Sequence, residues 1–141
     1  MLLNTLIASI LMVVTCGVHA GGMILVMRAV RLHGQRKTVN PLQWTHMYWI
    51  GGTVLLMFLV SLLEVLIWAL TYLALNAIEG LEKALYFSMV TFTTLGYGEI
   101  VLDEHWRLLA SFEAANGIIM FGWTTAIVIA VVQRVYFPVE Q

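Results

Sequence analysis

The chain has 141 residues, of which 61% are hydrophobic and only 11% are charged, and its formal net charge is −1. A soluble domain carries about a quarter charged residues, so this composition excludes an ordinary soluble protein and indicates an integral membrane protein. No basic patch with interleaved aromatic residues appears, and we expect no nucleic-acid partner. The single cysteine, Cys16, lies in an apolar run and cannot form a disulfide within the chain.

The first segment, 1–33, contains the apolar run Leu2–Val30. A membrane core about 30 Å thick needs about 20 helical residues, so this run predicts a transmembrane helix. A secretory signal with a cleavage site near His19 is the alternative, but the run lacks a positively charged start. We expect a retained helix in which His19 is hydrogen-bonded. Gly17 and Gly21 form a G-x-x-x-G pair, which indicates a close-packing face.

The second segment, 41–75, contains the next span. Asn40-Pro41 is typical of a helix N-cap followed by proline at the first helical position. The residues between this cap and Ile50 form either an interfacial segment or the first turns of the same helix, and they include aromatic residues typical of the headgroup region: Trp44, Tyr48 and Trp49. Glu64 lies in the middle of the span, where a carboxyl group is costly and needs a partner or a wet cavity. We expect a hydrogen-bonded structural carboxyl at Glu64 rather than a proton-linked gate.

The third segment, 76–106, contains an apolar run from Leu81 to Phe92. As a helix this run is roughly 18 Å long, which is too short to cross a membrane. A half-span helix followed by non-helical chain predicts a re-entrant loop, because irregular backbone at membrane depth is tolerated only inside protein or beside water. Glu79 and Glu82 lie where the positive end of this helix dipole is expected.

The residues after this helix read Thr93-Thr94-Leu95-Gly96-Tyr97-Gly98-Glu99, and we call them the filter segment. They resemble the T-V-G-Y-G selectivity filter of the potassium-channel pore-domain family, with Leu95 in place of valine and Glu99 where aspartate is usual. The alternative, a tight extracellular turn, gives no reason for Thr-Thr followed by Gly-Tyr-Gly.

The resemblance implies a role for each residue of the filter segment. Backbone oxygens would coordinate K+ as the permeant ligand, and the residues that supply them would be Thr94, Leu95, Gly96 and Tyr97, with the Thr94 hydroxyl in addition. The supporting residues would be Thr93, Gly98 and Glu99. Carbonyls that all face one axis require φ > 0 at some positions, which explains Gly96 and Gly98.

The last segment, 107–141, contains a third span, which the resemblance identifies as the inner, pore-lining helix with a short tail. Gly117 is a candidate hinge by resemblance to two-helix pores, and helix packing is the alternative. Some family members carry a glutamate behind the filter where this chain has Val90, and the candidate buried carboxyls that could replace it are Glu64 and Glu113. The residues expected to line a lower cavity are Thr124, Thr125, Val128 and Val132.

Charge predicts the orientation. With the N-terminus outside and the C-terminus inside, the inner side holds five of the seven basic residues: Arg28, Arg31, Arg36, Lys37 and Arg134. The filter segment then lies near the outer face. Five of the eight acidic residues belong to the outer side, where they would concentrate cations: Glu79, Glu82, Glu99, Asp103 and Glu104.

We therefore predict an all-α membrane protein with three transmembrane helices, a re-entrant pore helix and a selectivity filter. One filter segment per chain implies a potassium-channel-like homotetramer, surrounded by membrane lipids. The function implied is passive K+ conduction, with two alternatives: a weakly selective cation channel, because of Leu95, or a non-conducting scaffold or regulatory subunit. No catalytic motif or metal-ligand spacing appears, so we expect neither an enzyme nor a cofactor. The minimal architecture favours a bacterial inner membrane.

Overall fold

The computed structural model describes residues 2–34 and 43–136, and these residues include four helices. In chain order these are α1 (Leu2–Gly34), α2 (Gln43–Ala74), α3 (Leu81–Phe92) and α4 (Arg107–Tyr136). Three of them, α1, α2 and α4, are long and apolar enough to cross a membrane, whereas α3 has 12 residues. The predicted all-helical fold with three spanning helices and one short helix is confirmed.

The start of α2 includes the aromatic residues before Ile50. The helix is continuous from Gln43, so residues 43–49 are its first turns, and their position at the membrane interface stays a prediction. No proline or other breaker interrupts the chain between Gln43 and Ile50. The predicted cap at Asn40-Pro41 lies outside the described residues.

Polar contacts show that α1 and α4 run in the same direction. The Asn4 side-chain amide donates a hydrogen bond to the backbone carbonyl of His105. Further along both helices, the Asn116 amide donates to the Thr15 hydroxyl at 3.0 Å. In each pair the two residues are 101 positions apart in the sequence. The alignment of the two chain segments is therefore unchanged over about three helical turns.

Because α1 and α4 run in the same direction, the filter segment and a group of basic residues lie at opposite ends of the bundle. The N-termini of α1 and α4 lie at the same end of the bundle as the filter segment. The opposite end therefore holds the basic residues near the C-termini of α1 and α4, which are Arg28, Arg31 and Arg134. Of the residues predicted to share that side, Arg36 and Lys37 lie outside the described residues.

Two clusters of buried apolar side chains fill the bundle. The larger lies at the filter end and joins all four helices around Trp68, Tyr72 and Phe92. The smaller lies at the opposite end and joins α1, α2 and α4; its buried members are Val26, Val30, Met57, Ile127 and Val131. Lipid tails are as apolar as these side chains, so close packing and interhelical hydrogen bonds, rather than the hydrophobic effect, must hold spanning helices together.

The glycine that brings α1 close to α2 is not one of the predicted pair. Gly17 and Gly21 are exposed, and a Cβ atom at either would meet nothing within 4 Å. A Cβ atom at Gly22 would instead lie 2.6 Å from a methyl group of Val60 on α2. The close-packing face of α1 within the protomer is therefore rotated by one residue from the face that G-x-x-x-G predicted.

Candidate functional site

The filter segment has an unusual backbone that repeats every second residue. Positive φ angles occur at Thr94 (60°), Gly96 (56°) and Gly98 (80°), and the residues between them stay outside that region. Glycine adopts this conformation readily, whereas a residue with a Cβ atom pays about 1–2 kcal/mol. The positive φ expected at both glycines is present, and that at Thr94 was not predicted. Alternating signs of φ turn successive carbonyls to the same side of the chain, which a β-strand does not do.

Hydrogen bonds to α3 fix the direction of these carbonyls. The N–H of Thr94 donates to the carbonyl of Thr91 at 2.9 Å, and the N–H groups of Leu95 and Gly96 both donate to the carbonyl of Val90, at 2.9 and 3.3 Å. These bonds satisfy carbonyls that a helix C-terminus otherwise leaves unpaired. In a trans peptide the C=O points opposite to the N–H. The carbonyl that precedes each of these N–H groups therefore points away from α3, toward the open side of the segment.

A buried set of polar side chains lies behind α3. Glu113 of α4 accepts a hydrogen bond from the Tyr72 hydroxyl of α2 at 2.7 Å, and its other oxygen lies 2.5 Å from Ser88 Oγ of α3. Ser88 Oγ is also 2.9 Å from the carbonyl oxygen of Val65 on α2. The three side chains are fully buried. Glu113, one of the two candidate carboxyls, thus contacts the helix that carries the filter segment, one turn before that helix ends.

Gly117 lies directly against the C-terminus of α3. A Cβ atom there would be 1.9 Å from the carbonyl oxygen of Phe92 and 2.8 Å from its carbonyl carbon. One turn further along α4, the ring of Phe121 meets that of Phe92 edge-on at 5.7 Å. The structure thus gives Gly117 a packing contact, and its role as a hinge stays a prediction.

Glu64, the other candidate carboxyl, belongs to a different cluster. It pairs with His19 Nδ1 of α1 at 3.0 Å, and both side chains are fully buried. The other ring nitrogen of His19 lies 3.2 Å from the hydroxyl of Thr124 on α4, and the ring packs on Trp123 at 5.1 Å. His19 is hydrogen-bonded, as expected. Thr124, which was expected to line a lower cavity, instead contacts α1 inside the protomer.

The far end of the filter segment is polar and open. Tyr86 of α3 donates a hydrogen bond to the carboxylate of Glu99 at 2.8 Å, and this bond is the main cause that raises the pKa of the Tyr86 phenol. A cavity of about 240 Å³ lies between α3, the filter segment and the start of α4. The other acidic side chains at this end are exposed: Glu79, Glu82, Asp103 and Glu104.

The helix α4 also presents a stripe that no described residue of the protomer covers. Its exposed positions follow each other at spacings of four and three residues, and we call them the α4 stripe: Ser111, Ala115, Ile118, Gly122, Thr125 and Ile129. This spacing places the side chains on one face of a helix, as in a seam between helices. Thr125 was among the residues expected to line a cavity, whereas Val128 and Val132 are half-buried.

A family model described as an ion channel matches residues 60–134. The match is longer than half of the chain and covers the second half of α2, α3, the filter segment and most of α4. The helix α1 lies outside it. A comparison with curated proteins and one with solved structures each returned no significant match.

Proposed function

The chain belongs to the ion-channel family, and on that premise we propose that it is a K+-selective channel whose pore is formed by four copies. The observation that carries the proposal is the alternating φ of the filter segment at Thr94, Gly96 and Gly98. Together with the N–H groups turned toward α3, it leaves a row of carbonyl oxygens free on one side. Such oxygens can replace the water of a dehydrated K+ ion when several chains contribute at each level.

One chain supplies a single row of carbonyls, so the site requires further copies. The filter segment is exposed along its length in the isolated chain, including the large side chains of Leu95 (54%) and Tyr97 (65%). Membrane-depth backbone that is not helical must be covered by protein or line a wet cavity. A ring of four copies meets both needs, since it covers the outer surface of each segment and leaves the carbonyls on a central axis.

The α4 stripe suits the wall of the same pore. It is unpartnered in the protomer and mixes small and apolar residues, among them Gly122 and Thr125. In a fourfold assembly it would continue the ion path beyond the filter segment. The C-terminal end of α3, at Phe92, carries the negative end of a helix dipole and favours a cation there.

The acidic end of the molecule suits the entrance. The exposed carboxylates around Glu99 attract cations and raise their local concentration. By the positive-inside rule this end is extracellular, with the N-terminus outside and the ends of α1 and α4 that carry Arg28 and Arg134 in the cytoplasm.

Ion flux through the purified protein in liposomes tests the proposal. We expect K+ flux that barium blocks and a reversal potential that follows the K+ gradient when Na+ replaces K+ on one side. The control is Gly96→Ala, which places a side chain at φ = 56° and should abolish flux. A reversal potential near zero in this exchange would instead indicate a weakly selective cation channel. Stable tetramers without flux would indicate a scaffold or regulatory subunit.

A further inference from the structure

The polar set behind α3 contains three oxygen-oxygen contacts, and with an ionised Glu113 it would hold only two protons, those of the Tyr72 and Ser88 hydroxyls. Ser88 has one hydroxyl proton and two oxygen neighbours within hydrogen-bond distance, the carbonyl of Val65 and the carboxyl of Glu113. A backbone carbonyl only accepts hydrogen bonds, and so does a carboxylate. If Glu113 were ionised, one of these two contacts would join two oxygens without a proton between them.

A protonated, neutral Glu113 supplies the proton that is missing from one of these contacts. The Tyr72 hydroxyl donates to one oxygen of Glu113, the protonated oxygen of Glu113 donates to Ser88 Oγ, and Ser88 donates to the carbonyl of Val65. Each proton then has one acceptor, and the chain of bonds runs from α2 through α4 and α3 back to α2. Fully satisfied buried networks rigidify the groups that they join, whereas partly satisfied ones are costly.

The surroundings also favour the neutral form. Glu113 is fully buried within a spanning helix. Among the described residues no Lys, Arg or His lies within ion-pair distance of it; the pairs found there are His19 with Glu64 and Arg107 with Glu104. A carboxylate in such a place would be an uncompensated charge in a medium of low dielectric constant, which is far more costly than a hydrogen-bonded neutral acid.

We propose that Glu113 is a positioning residue for the filter segment. In its neutral form it joins α3 to both neighbouring helices through Ser88 and Tyr72. The proposal rests on the proposed function, because it assigns Glu113 to the alignment of a selectivity filter. The contact at Ser88 lies one turn before Phe92, and the filter segment follows directly. A tilt of α3 at this point moves the carbonyls that bind the ion.

The protonation state has a test that does not depend on conduction. Infrared difference spectra of the purified protein at neutral pH, wild type minus Glu113→Gln, should show the carbonyl stretch of a protonated carboxylic acid, shifted in deuterated water. Carboxylate bands in its place would overturn the proposal. The spectra show whether Glu113 is protonated even if the protein carries no current. An ionised Glu113 is therefore a result distinct from a failure of the proposed channel function.

The positioning role has a test in a series of variants. The amide of Glu113→Gln can donate to Ser88 and accept from Tyr72 as the neutral acid does, so we expect a wild-type reversal potential. Glu113→Leu and Ser88→Ala break the chain of bonds and should each lower the preference for K+ over Na+, roughly tenfold if the full effect of an unpaired buried group is felt at the filter. Ser9→Ala is the matched serine control, because Ser9 is exposed and its hydroxyl donates to the backbone carbonyl of Thr5 in its own helix.

Three outcomes would overturn the positioning role. The first is a loss of selectivity in Glu113→Gln as large as that in Glu113→Leu, which would show that the charge is needed. The second is wild-type selectivity in both Glu113→Leu and Ser88→Ala. The third is an equal loss in Ser9→Ala. If Glu113→Leu does not assemble, Ser88→Ala and the thermal unfolding of Glu113→Gln against wild type still decide, since the proposal requires the glutamine variant to melt as the wild type does.

Discussion

Replacing Gly117 with alanine tests how α4 fixes the filter segment. The new Cβ atom would start 1.9 Å from the carbonyl oxygen of Phe92, whereas carbon and oxygen atoms approach to about 3.3 Å. The distance between α4 at residue 117 and the carbonyl of Phe92 must therefore increase by roughly 1.4 Å. The obstacle is backbone, so no rotamer change relieves it. Functional constellations tolerate displacements of about 0.5 Å, and the expected displacement of α3 exceeds this.

We expect Gly117→Ala to lose K+ selectivity and to unfold at lower temperature. Overpacking costs about 1–3 kcal/mol, which exceeds the gain of about 0.5–1 kcal/mol from replacing a helical glycine with alanine. Gly51→Ala is the matched control, since a Cβ atom there meets nothing within 4 Å. The assays are thermal unfolding of the purified assembly followed by circular dichroism, and reversal potentials in liposomes.

The same variant separates packing from hinge motion. If Gly117 serves only as a hinge, alanine should change the fraction of time that the channel is open and leave selectivity and thermal stability like those of Gly51→Ala. That result would refute the packing argument. A change in all three quantities would mean that the contact with Phe92 and the bending of α4 share one residue.

Three further predictions concern the polar contacts. His19→Ala leaves Glu64 buried without its partner, so the free energy of unfolding should fall by about 3–5 kcal/mol, and the double variant with Glu64→Leu should recover most of it; a single variant that melts like wild type would contradict this. The raised pKa of Tyr86 means that its bond to Glu99 stabilises the protein at neutral pH and is lost only as pH rises above about 10, the ordinary tyrosine value. Tyr86→Phe should remove that alkaline dependence in thermal unfolding, and an unchanged pH profile would count against the bond. Glu104→Gln should lower single-channel conductance at low salt more than at high salt, because screening weakens surface charges; equal effects at both salt concentrations would exclude an electrostatic role.

The sequence predicted the features that depend on neighbouring residues. The bounds of α3, Leu81–Phe92, follow from the length of an apolar run between polar residues, and the structure has the same bounds. The positive φ at Gly96 and Gly98 follows from the conformations open to glycine. The resemblance to the potassium-channel pore-domain family is confirmed by the match over residues 60–134. These signals are local, and they need no knowledge of how the helices are rotated.

The contacts between helices could not be predicted, because the sequence of a membrane helix does not indicate which of its faces packs against the other helices. A soluble helix marks its buried face with apolar residues, but α1, α2 and α4 are apolar all round, since lipid and protein interior are alike to them. The pairing of His19 with Glu64 was therefore not foreseen, although both residues were conspicuous as polar side chains in apolar runs. For the same reason the G-x-x-x-G spacing indicated Gly17 and Gly21, and the close contact of Gly22 with Val60 was not predicted.

The polar contacts also show that α1 packs as one unit with the segment that matches the ion-channel family. The ion-channel match begins at residue 60, so it leaves out all of α1. Yet α1 supplies the partner of Glu64 and a hydrogen-bonding partner of Asn116, and both of those residues are fully buried in the matched part. Buried polar groups are costly when their partners are removed. The matched segment therefore depends on α1 to satisfy its own interior, and α1 is part of the frame that holds α4 rather than a separate membrane anchor.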